Sequence, residues 1–191
     1  MLLGSDIDGV IIDIVSVMRE RFLDLYGYDL SYELISDYKI EECTGLTDKQ
    51  VQFVVDESLY KVDLPVYADA EFYMNKYMKT EDVIFITSRN RRHSNETFLN
   101  LAKYFPLDKF RILFEGIFTK ASFVRRLKLD FFVEDRVDTV IDIAGNNPNC
   151  AVLIMDRPWN KDWDETLWNN VTRVKGWKEI IETIETLKSF G

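Results

Sequence analysis

The chain has 191 residues, 47% of them hydrophobic and 30% charged, which is enough for one well-buried globular domain with a small inserted subdomain. Its net charge of -9 argues against duplex nucleic acid as a partner, because counterion release requires a surface rich in Lys and Arg. Asp6 and Asp8 interrupt the N-terminal stretch where a signal peptide would be apolar. No apolar run reaches the roughly 20 residues of a membrane span. We therefore expect a cytoplasmic protein that does not associate with membranes.

The first predicted element is a buried strand in the apolar N-terminal run that carries Asp6 and Asp8. Side chains alternate along a strand with a period of two, so both carboxylates would point to one face and repel unless a cation or the end of a sheet receives them. Gly9 allows a turn at the carboxyl end of this strand. Ligands bind at that end in open parallel sheets, so we expect a metal and phosphate site there.

A long helical segment follows the first strand. Apolar residues at three- and four-residue spacing predict an amphipathic helix over 14–26, which Gly27 ends. Thr47 and Gln50 fit a capping box that begins another helix. The segment is too long for an ordinary crossover, so we expect residues 14–79 to form a helical cap and residues 1–13 and 80–191 to form the catalytic core.

From residue 80 onward, short apolar strands alternate with helices. The predicted strands cover 83–86, 111–114, 130–133 and 151–155. The predicted helices cover 94–104, 120–127, 137–144 and 177–187. This alternation predicts a Rossmann-like α/β fold, in which a mainly parallel sheet is covered by helices on both faces.

Hydroxyl groups and a cation accompany the second predicted strand. Thr87 and Ser88 follow this strand, and their hydroxyls and neighbouring N–H groups can hold phosphate oxygens without adding charge. Lys120, at the start of a predicted helix, supplies a compact positive charge for a phosphate or a carboxylate. Arg89 and Asn90 are weaker phosphate-binding candidates, since a solvated loop explains them equally well.

A second acidic pair, Glu134 and Asp135, follows the predicted strand over 130–133. With Asp6, this pair can complete the oxygen-rich ligand set that Mg²⁺ prefers. His93 is the only histidine, so the chain alone supplies neither a His-based zinc site nor a Ser-His triad. The carboxylates, hydroxyls and lysine predicted near the strand ends are the kinds of group that phosphoryl transfer requires.

In this order, the motifs resemble those of the haloacid dehalogenase superfamily. Residues 6–10 look like its first motif, D-x-D-G-[TV], residues 87–88 like the second, Lys120 like the third and residues 134–135 like the fourth. Lys128, which is closer in sequence to the second acidic pair, is the alternative third-motif lysine. Within the superfamily, the chain is most similar to the 5'(3')-deoxyribonucleotidase-like phosphatases, which carry a helical cap after the first strand.

The resemblance implies a two-step hydrolysis of a phosphomonoester. Asp6 would attack phosphorus and form an aspartyl-phosphate, which splits one difficult displacement into two. Asp8 would protonate the leaving oxygen and then activate the hydrolytic water. Dehalogenase members of the superfamily lack this second acid, so the presence of Asp8 implies a phosphatase.

The resemblance also implies the groups that hold the metal and the phosphate. Mg²⁺ would be held by the carboxylates of Asp6 and Asp135 and by the backbone carbonyl of Asp8, with Glu134 acting indirectly or through a water molecule. The groups that would stabilise the transferring phosphoryl group are Thr87, Ser88 and Lys120.

The expected substrate is a small phosphomonoester, most consistent with a nucleoside monophosphate. Phe53, Tyr60 and Tyr67 in the cap are weak candidates for stacking on a nucleobase, because aromatic residues at helical spacing are more often part of a core. A phosphatase for another metabolite, such as a sugar phosphate, is one alternative, since the cap selects the leaving group. A catalytically silent phosphate- or metal-binding regulator on the same fold is another, which the presence of Asp8 disfavours.

Overall fold

The computed structural model describes residues 1–35 and 40–189, in which six strands form one sheet. The strands are β1 (Leu3–Ser5), β2 (Val83–Thr87), β3 (Phe110–Phe114), β4 (Phe131–Glu134), β5 (Ala151–Met155) and β6 (Val171–Val174). They lie in the order β3-β2-β1-β4-β5-β6, and all neighbouring strands are parallel. The predicted parallel α/β fold is confirmed.

The helices of the described residues are α1 (Ile14–Tyr26), α2 (Ile40–Thr44), α3 (Asp48–Leu59), α4 (Ala68–Tyr77), α5 (Ser94–Tyr104), α6 (Lys120–Leu127), α7 (Val137–Asn146) and α8 (Trp177–Ser189). The predicted end of α1 is confirmed, since Gly27 adopts the left-handed conformation with φ 63°. The predicted capping box of α3 is also present, with the Thr47 N–H donating to Gln50 Oε1 at 3.0 Å. Within residues 1–35 and 40–189, no helix combines the length and apolar character needed to cross a membrane.

Side-chain alternation along the strands divides the core into two layers. Phe131 and Val133 of β4 pack in the larger layer, with buried residues of α1, α3, α4, α5 and α8. Phe132, between them in sequence, packs in the second layer with residues of α6 and α7. Because both faces of the sheet are covered, its polar residues are accommodated mainly at the strand ends.

The start of α8 anchors the loop that follows β1. The indole N–H of Trp177, which is fully buried, donates to the backbone carbonyl of Val10 at 3.0 Å. The Trp177 backbone N–H donates to Asp69 at the start of α4 at 2.7 Å. Helix α4 therefore contacts helix α8 directly, and α8 supports the loop that carries Asp6 and Asp8.

Two strand predictions differ from the structure. The predicted first strand is too long, because β1 ends at Ser5 and leaves Asp6 and Asp8 in a loop beyond it. The chain turns there, since the N–H groups of Ile11 and Ile12 both donate to the Ile7 carbonyl. Strand β6 was not predicted, because Thr172 and Arg173 interrupt its apolar pattern. The sheet nevertheless accommodates these residues because β6 is an edge strand.

Candidate active site

The carboxyl ends of β2, β1 and β4 meet in the middle of the sheet. Asp6 follows β1, Thr87 ends β2 and Glu134 ends β4. The chain adds strands on one side of β1 and then on the other, so this point is the topological switch of the sheet. Ligands bind at such crevices in open α/β sheets.

A buried lysine joins two of the predicted acidic residues. Lys120 Nζ lies 2.7 Å from Asp6 Oδ2 and 2.7 Å from Glu134 Oε2, and Lys120 is 1% exposed. Lys128 is exposed at the opposite end of α6, in a left-handed conformation with φ 53°. The structure therefore brings Lys120, rather than Lys128, to the carboxylates.

Both oxygens of Glu134 already have partners. Glu134 Oε2 accepts from Lys120, and Oε1 accepts the N–H groups of Asp135 at 3.0 Å and Arg136 at 3.2 Å. This carboxylate is fully buried. Its contacts therefore orient Lys120 and the backbone that follows β4.

Burial raises the pKa of Asp6 to about 8, although the charge of Lys120 opposes this shift. Burial likewise raises the pKa of Asp135 to about 6 and raises the pKa of Glu134. Burial alone would lower the pKa of Lys120, but the Asp6 and Glu134 carboxylates raise it overall. Three buried carboxyl groups around one lysine favour a further positive charge at this position.

The chemistry of these donors fits a divalent cation. Asp6, Glu134 and Asp135 each offer a carboxylate oxygen, and the three atoms lie within 4.8 Å of one another. Asp135 Oδ1 is buried, and within the described part of the chain it has no hydrogen-bond partner. An unpartnered buried carboxylate oxygen is unfavourable, and a hard cation such as Mg²⁺ would satisfy it.

Asp8 is held by Arg89. The guanidinium donates from Nε to Asp8 Oδ2 at 2.7 Å and from Nη2 to Asp8 Oδ1 at 2.5 Å. Its Nη1 donates to the buried hydroxyl of Thr97 at 3.1 Å, and the Arg89 side chain is 1% exposed. The guanidinium therefore has a fixed orientation toward Asp8.

Three further residues predicted to bind phosphate line one polar cleft with Asp6 and Asp8, namely Thr87, Ser88 and Asn90. Thr87 is buried, and its hydroxyl accepts the backbone N–H of Arg89 at 3.1 Å. Ser88 is exposed and donates its hydroxyl to Glu115. Asn90, also exposed, accepts the N–H of Arg92 at 3.0 Å, which caps a short 3₁₀ turn.

A second cavity, with a volume of about 140 Å³, also contacts Asp8. Its walls are mainly aliphatic side chains from α1 and α3, including Val15 and Val55, and Trp159 lies among its lining residues. Val55 also borders the polar cleft. Asp8 thus lies between a charged compartment and an apolar one.

The three cap aromatics lie elsewhere. Phe53 and Tyr60 are about half exposed, and Tyr67 packs with its ring 4.4 Å from the guanidinium carbon of Arg157. Neither cavity that contacts Asp8 is lined by these three residues. Their role in nucleobase stacking stays a prediction.

Trp159 is a site residue that the sequence pattern did not identify. Its indole N–H donates to Asp135 Oδ2 at 3.0 Å. The available signal was Pro158, which begins a 3₁₀ turn over Pro158–Asn160 shortly after the carboxyl end of β5. A turn at that end of a parallel sheet lies on the same side as the other site residues.

A family model described as "5' nucleotidase, deoxy (Pyrimidine), cytosolic type C protein" matches residues 1–190. A search of curated proteins gave no match.

Similar solved structures include a haloacid dehalogenase-like hydrolase from Streptococcus pneumoniae, with a TM-score of 0.64, 11% identity, and coverage of 96% of this chain and 97% of that chain. A haloacid dehalogenase-like protein from Agrobacterium tumefaciens has a TM-score of 0.64, 14% identity and coverage of 98% of both chains. A hydrolase of this superfamily from Bacillus subtilis, solved with magnesium, has a TM-score of 0.62, 11% identity, and coverage of 96% of this chain and 98% of that chain. At these identities the structures establish a shared fold, which confirms the predicted superfamily architecture.

Replacing Lys120 by Ala would leave the Asp6 and Glu134 carboxylates buried without the ammonium group that pairs with both of them. Removing one partner of a buried ion pair costs about 3–5 kcal/mol, so we expect the free energy of unfolding of Lys120→Ala to fall by about that amount. Urea denaturation in EDTA would measure it. Lys128→Ala is the matched control, because Lys128 is exposed. Equal losses in the two variants would contradict the structural role assigned to Lys120.

Proposed function

The chain belongs to the family of cytosolic type C 5' nucleotidases, which are phosphatases, and from this premise we propose that it is a Mg²⁺-dependent 5'-nucleotidase or deoxyribonucleotidase. The observation that carries the nucleotide assignment is the apolar cavity beside Asp8 and Asp135. The proposed substrate is a free nucleoside monophosphate rather than duplex nucleic acid. The proposed location is the cytoplasm.

The aliphatic walls of this cavity favour a nucleobase over a sugar. The hydroxyl groups of a sugar phosphate need hydrogen-bond partners when they leave water, and the Val15 and Val55 side chains offer none. A nucleobase instead presents two apolar faces. The cavity of about 140 Å³ is similar to the ~150 Å³ that holds a benzene molecule, which suits a single six-membered ring. These properties support a pyrimidine nucleotide and disfavour the sugar phosphate alternative.

In the proposed reaction, an Asp6 carboxylate oxygen forms a bond to phosphorus as the bond from phosphorus to the ester oxygen breaks. Asp8 transfers its proton to that departing oxygen, and the nucleoside leaves. Asp8 then removes a proton from a water molecule, which attacks the aspartyl-phosphate and releases phosphate. The position of Asp8 between the polar cleft and the apolar cavity supports this role, because the ester oxygen must lie between phosphate and nucleoside.

The proposed cation ligands are the Asp6 and Asp135 carboxylates and the Asp8 backbone carbonyl, with Glu134 acting indirectly. When bound, Mg²⁺ would offset the repulsion between the nucleophile and the phosphate dianion. The three hydrogen bonds that engage both oxygens of Glu134 support its indirect role. The residues proposed to hold the phosphoryl oxygens are Thr87, Ser88 and Lys120, with Asn90 at the edge of the cleft.

Arg89 was predicted to bind phosphate, but its observed contacts support a different primary role. Two charge-assisted hydrogen bonds to both oxygens of a carboxylate fix its orientation more strictly than one. The remaining guanidinium nitrogen, Nη1, donates to the Thr97 hydroxyl and fixes the guanidinium further. We therefore propose that Arg89 orients Asp8 toward the ester oxygen.

Amide variants test the two aspartates. Wild type should hydrolyse p-nitrophenyl phosphate with Mg²⁺ and stop in EDTA, and Asp6→Asn should abolish turnover because the nucleophile is lost. Asp8→Asn should reduce nucleotide turnover by about 10²–10⁴-fold. With p-nitrophenyl phosphate, the burst of p-nitrophenol from the first step should be slowed less, because that leaving group needs little protonation, whereas loss of the base should still slow hydrolysis of the aspartyl-phosphate.

Asp24→Asn, which changes an exposed carboxylate on α1, is the control for these amide variants. Turnover that persists in EDTA or in Asp6→Asn would exclude the proposed mechanism. No turnover on nucleotides, sugar phosphates and p-nitrophenyl phosphate alike would favour the silent regulator.

Filling the apolar cavity tests the substrate class. Val15→Phe, at a residue that lines the apolar cavity but not the polar cleft, should lower kcat/KM for pyrimidine nucleoside monophosphates by about tenfold or more, because it occupies space assigned to the base. Acetyl phosphate, whose leaving group is small, should be hydrolysed at the wild-type rate. Val62→Phe makes the same change at an exposed position and should affect neither substrate. Faster hydrolysis of sugar phosphates than of nucleotides by wild type would overturn the nucleotide assignment.

Arg89 variants separate the two roles considered for this residue. If Arg89 orients Asp8, Arg89→Ala should lower kcat for a nucleoside monophosphate by about tenfold or more, with a smaller effect on the burst of p-nitrophenol released from p-nitrophenyl phosphate in the first step. Arg89→Lys should restore part of the rate. Arg91→Ala, at an exposed neighbouring position, should retain wild-type kinetics. A rise in KM that is equal for both substrates would instead assign Arg89 to the phosphate.

A further inference from the structure

Trp159 determines which oxygen of Asp135 is available. Its indole N–H, 3.0 Å from Asp135 Oδ2, can only donate a hydrogen bond. The indole therefore donates to Oδ2 and not to Oδ1. Oδ1 is buried and has no hydrogen-bond partner among the described residues. The two oxygens of one carboxylate are thus divided between a protein donor and the proposed cation.

The turn that carries Trp159 also holds the backbone of Asp135. Asn160, the next residue, is buried, and its side-chain amide donates to the carbonyls of Asp135 at 2.7 Å and Met155 at 2.8 Å. The side chain and the main chain of Asp135 are therefore both held by consecutive residues of one short turn. This arrangement restricts rotation of the Asp135 side chain.

The loop after β1 closes on the same contact. Gly9 has φ +74°, and a Cβ at this position would lie 2.2 Å from Asp135 Oδ2 and 3.3 Å from Trp159 Cζ2. The backbone of Gly9 therefore packs directly against the Asp135 carboxylate, which leaves no space for a side chain at position 9. Tyr32 also packs against Trp159, with ring centroids 5.9 Å apart in an edge-to-face arrangement.

The same indole belongs to the wall of the apolar cavity. We propose that Trp159 is a positioning residue that holds Asp135 for a divalent cation and connects the cation site to the leaving-group cavity. Residues that hydrogen-bond to a metal ligand typically contribute 10–100-fold in metal affinity. The inference takes the cation site from the proposed function, but its test requires no substrate.

The test is Mn²⁺ binding, measured by the electron paramagnetic resonance signal of the free ion, with Mg²⁺ as competitor. Trp159→Phe retains an aromatic ring but removes the N–H donor, so Mn²⁺ affinity should fall by about 10–100-fold. Trp163→Phe is the matched control, because Trp163 packs against the other core layer. It should bind Mn²⁺ as wild type does.

A double variant separates the hydrogen bond from a general structural effect. In an Asp135→Asn background, Trp159→Phe should weaken Mn²⁺ binding no further, because the ligand it positions is already changed. If Trp159→Phe does not fold, 3-benzothienylalanine at this position replaces the N–H by sulfur in a ring of nearly the same shape. Wild-type Mn²⁺ affinity in a folded variant without the N–H would overturn the inference.

The outcome is distinguishable from the fate of the proposed function. A chain that binds Mn²⁺ through Trp159 and Asp135 but hydrolyses no nucleotide would retain this inference and lose the nucleotidase assignment. A nucleotidase whose Mn²⁺ affinity is unchanged by loss of the indole N–H would retain its function and lose the inference.

Discussion

The structure depends on one buried ion cluster, in which Lys120 neutralises only part of the charge of the carboxylates around it. Lys120 lies between Asp6 and Glu134, each at 2.7 Å, and Asp135 completes the acidic group. Such a cluster is unfavourable in a core unless its members are paired or hydrogen-bonded. The parallel sheet makes it tolerable by bringing three strand ends, and the N–H groups that follow them, to one point.

This constraint assigns different tasks to residues of the same type. Glu134 uses both oxygens within the protein, so it supports Lys120 and the turn after β4. Asp135 uses one oxygen for Trp159 and keeps the other without a partner. Asp8 stands apart from the cluster and pairs with Arg89. The division between a structural carboxylate, a proposed metal ligand and a proposed proton carrier therefore follows from hydrogen bonds.

The sequence predicts those features that depend on local pattern. Apolar strands that alternate with helices predicted the parallel sheet, and motifs placed after strands were correctly expected to converge, because parallel strand ends share an edge. Features that depend on tertiary contacts could not be predicted. The hydrogen bonds from Arg89 to Asp8 and from Trp159 to Asp135 join residues that are distant in sequence. The short β1 reflects a local turn at Ile7 that the apolar pattern conceals.

The two compartments beside Asp8 explain how one core can support different substrates. Charged and hydroxyl groups of the strand ends line the polar cleft, whereas aliphatic side chains of α1 and α3 form most of the apolar cavity. In the proposed reaction, the first set acts on the phosphoryl group and the second receives the leaving group. Under this proposal, a change in the cavity residues of α1, which do not line the polar cleft, can alter the accepted leaving group without moving the proposed cation ligands. Trp159 limits this independence, because it contacts Asp135 and the cavity with one side chain.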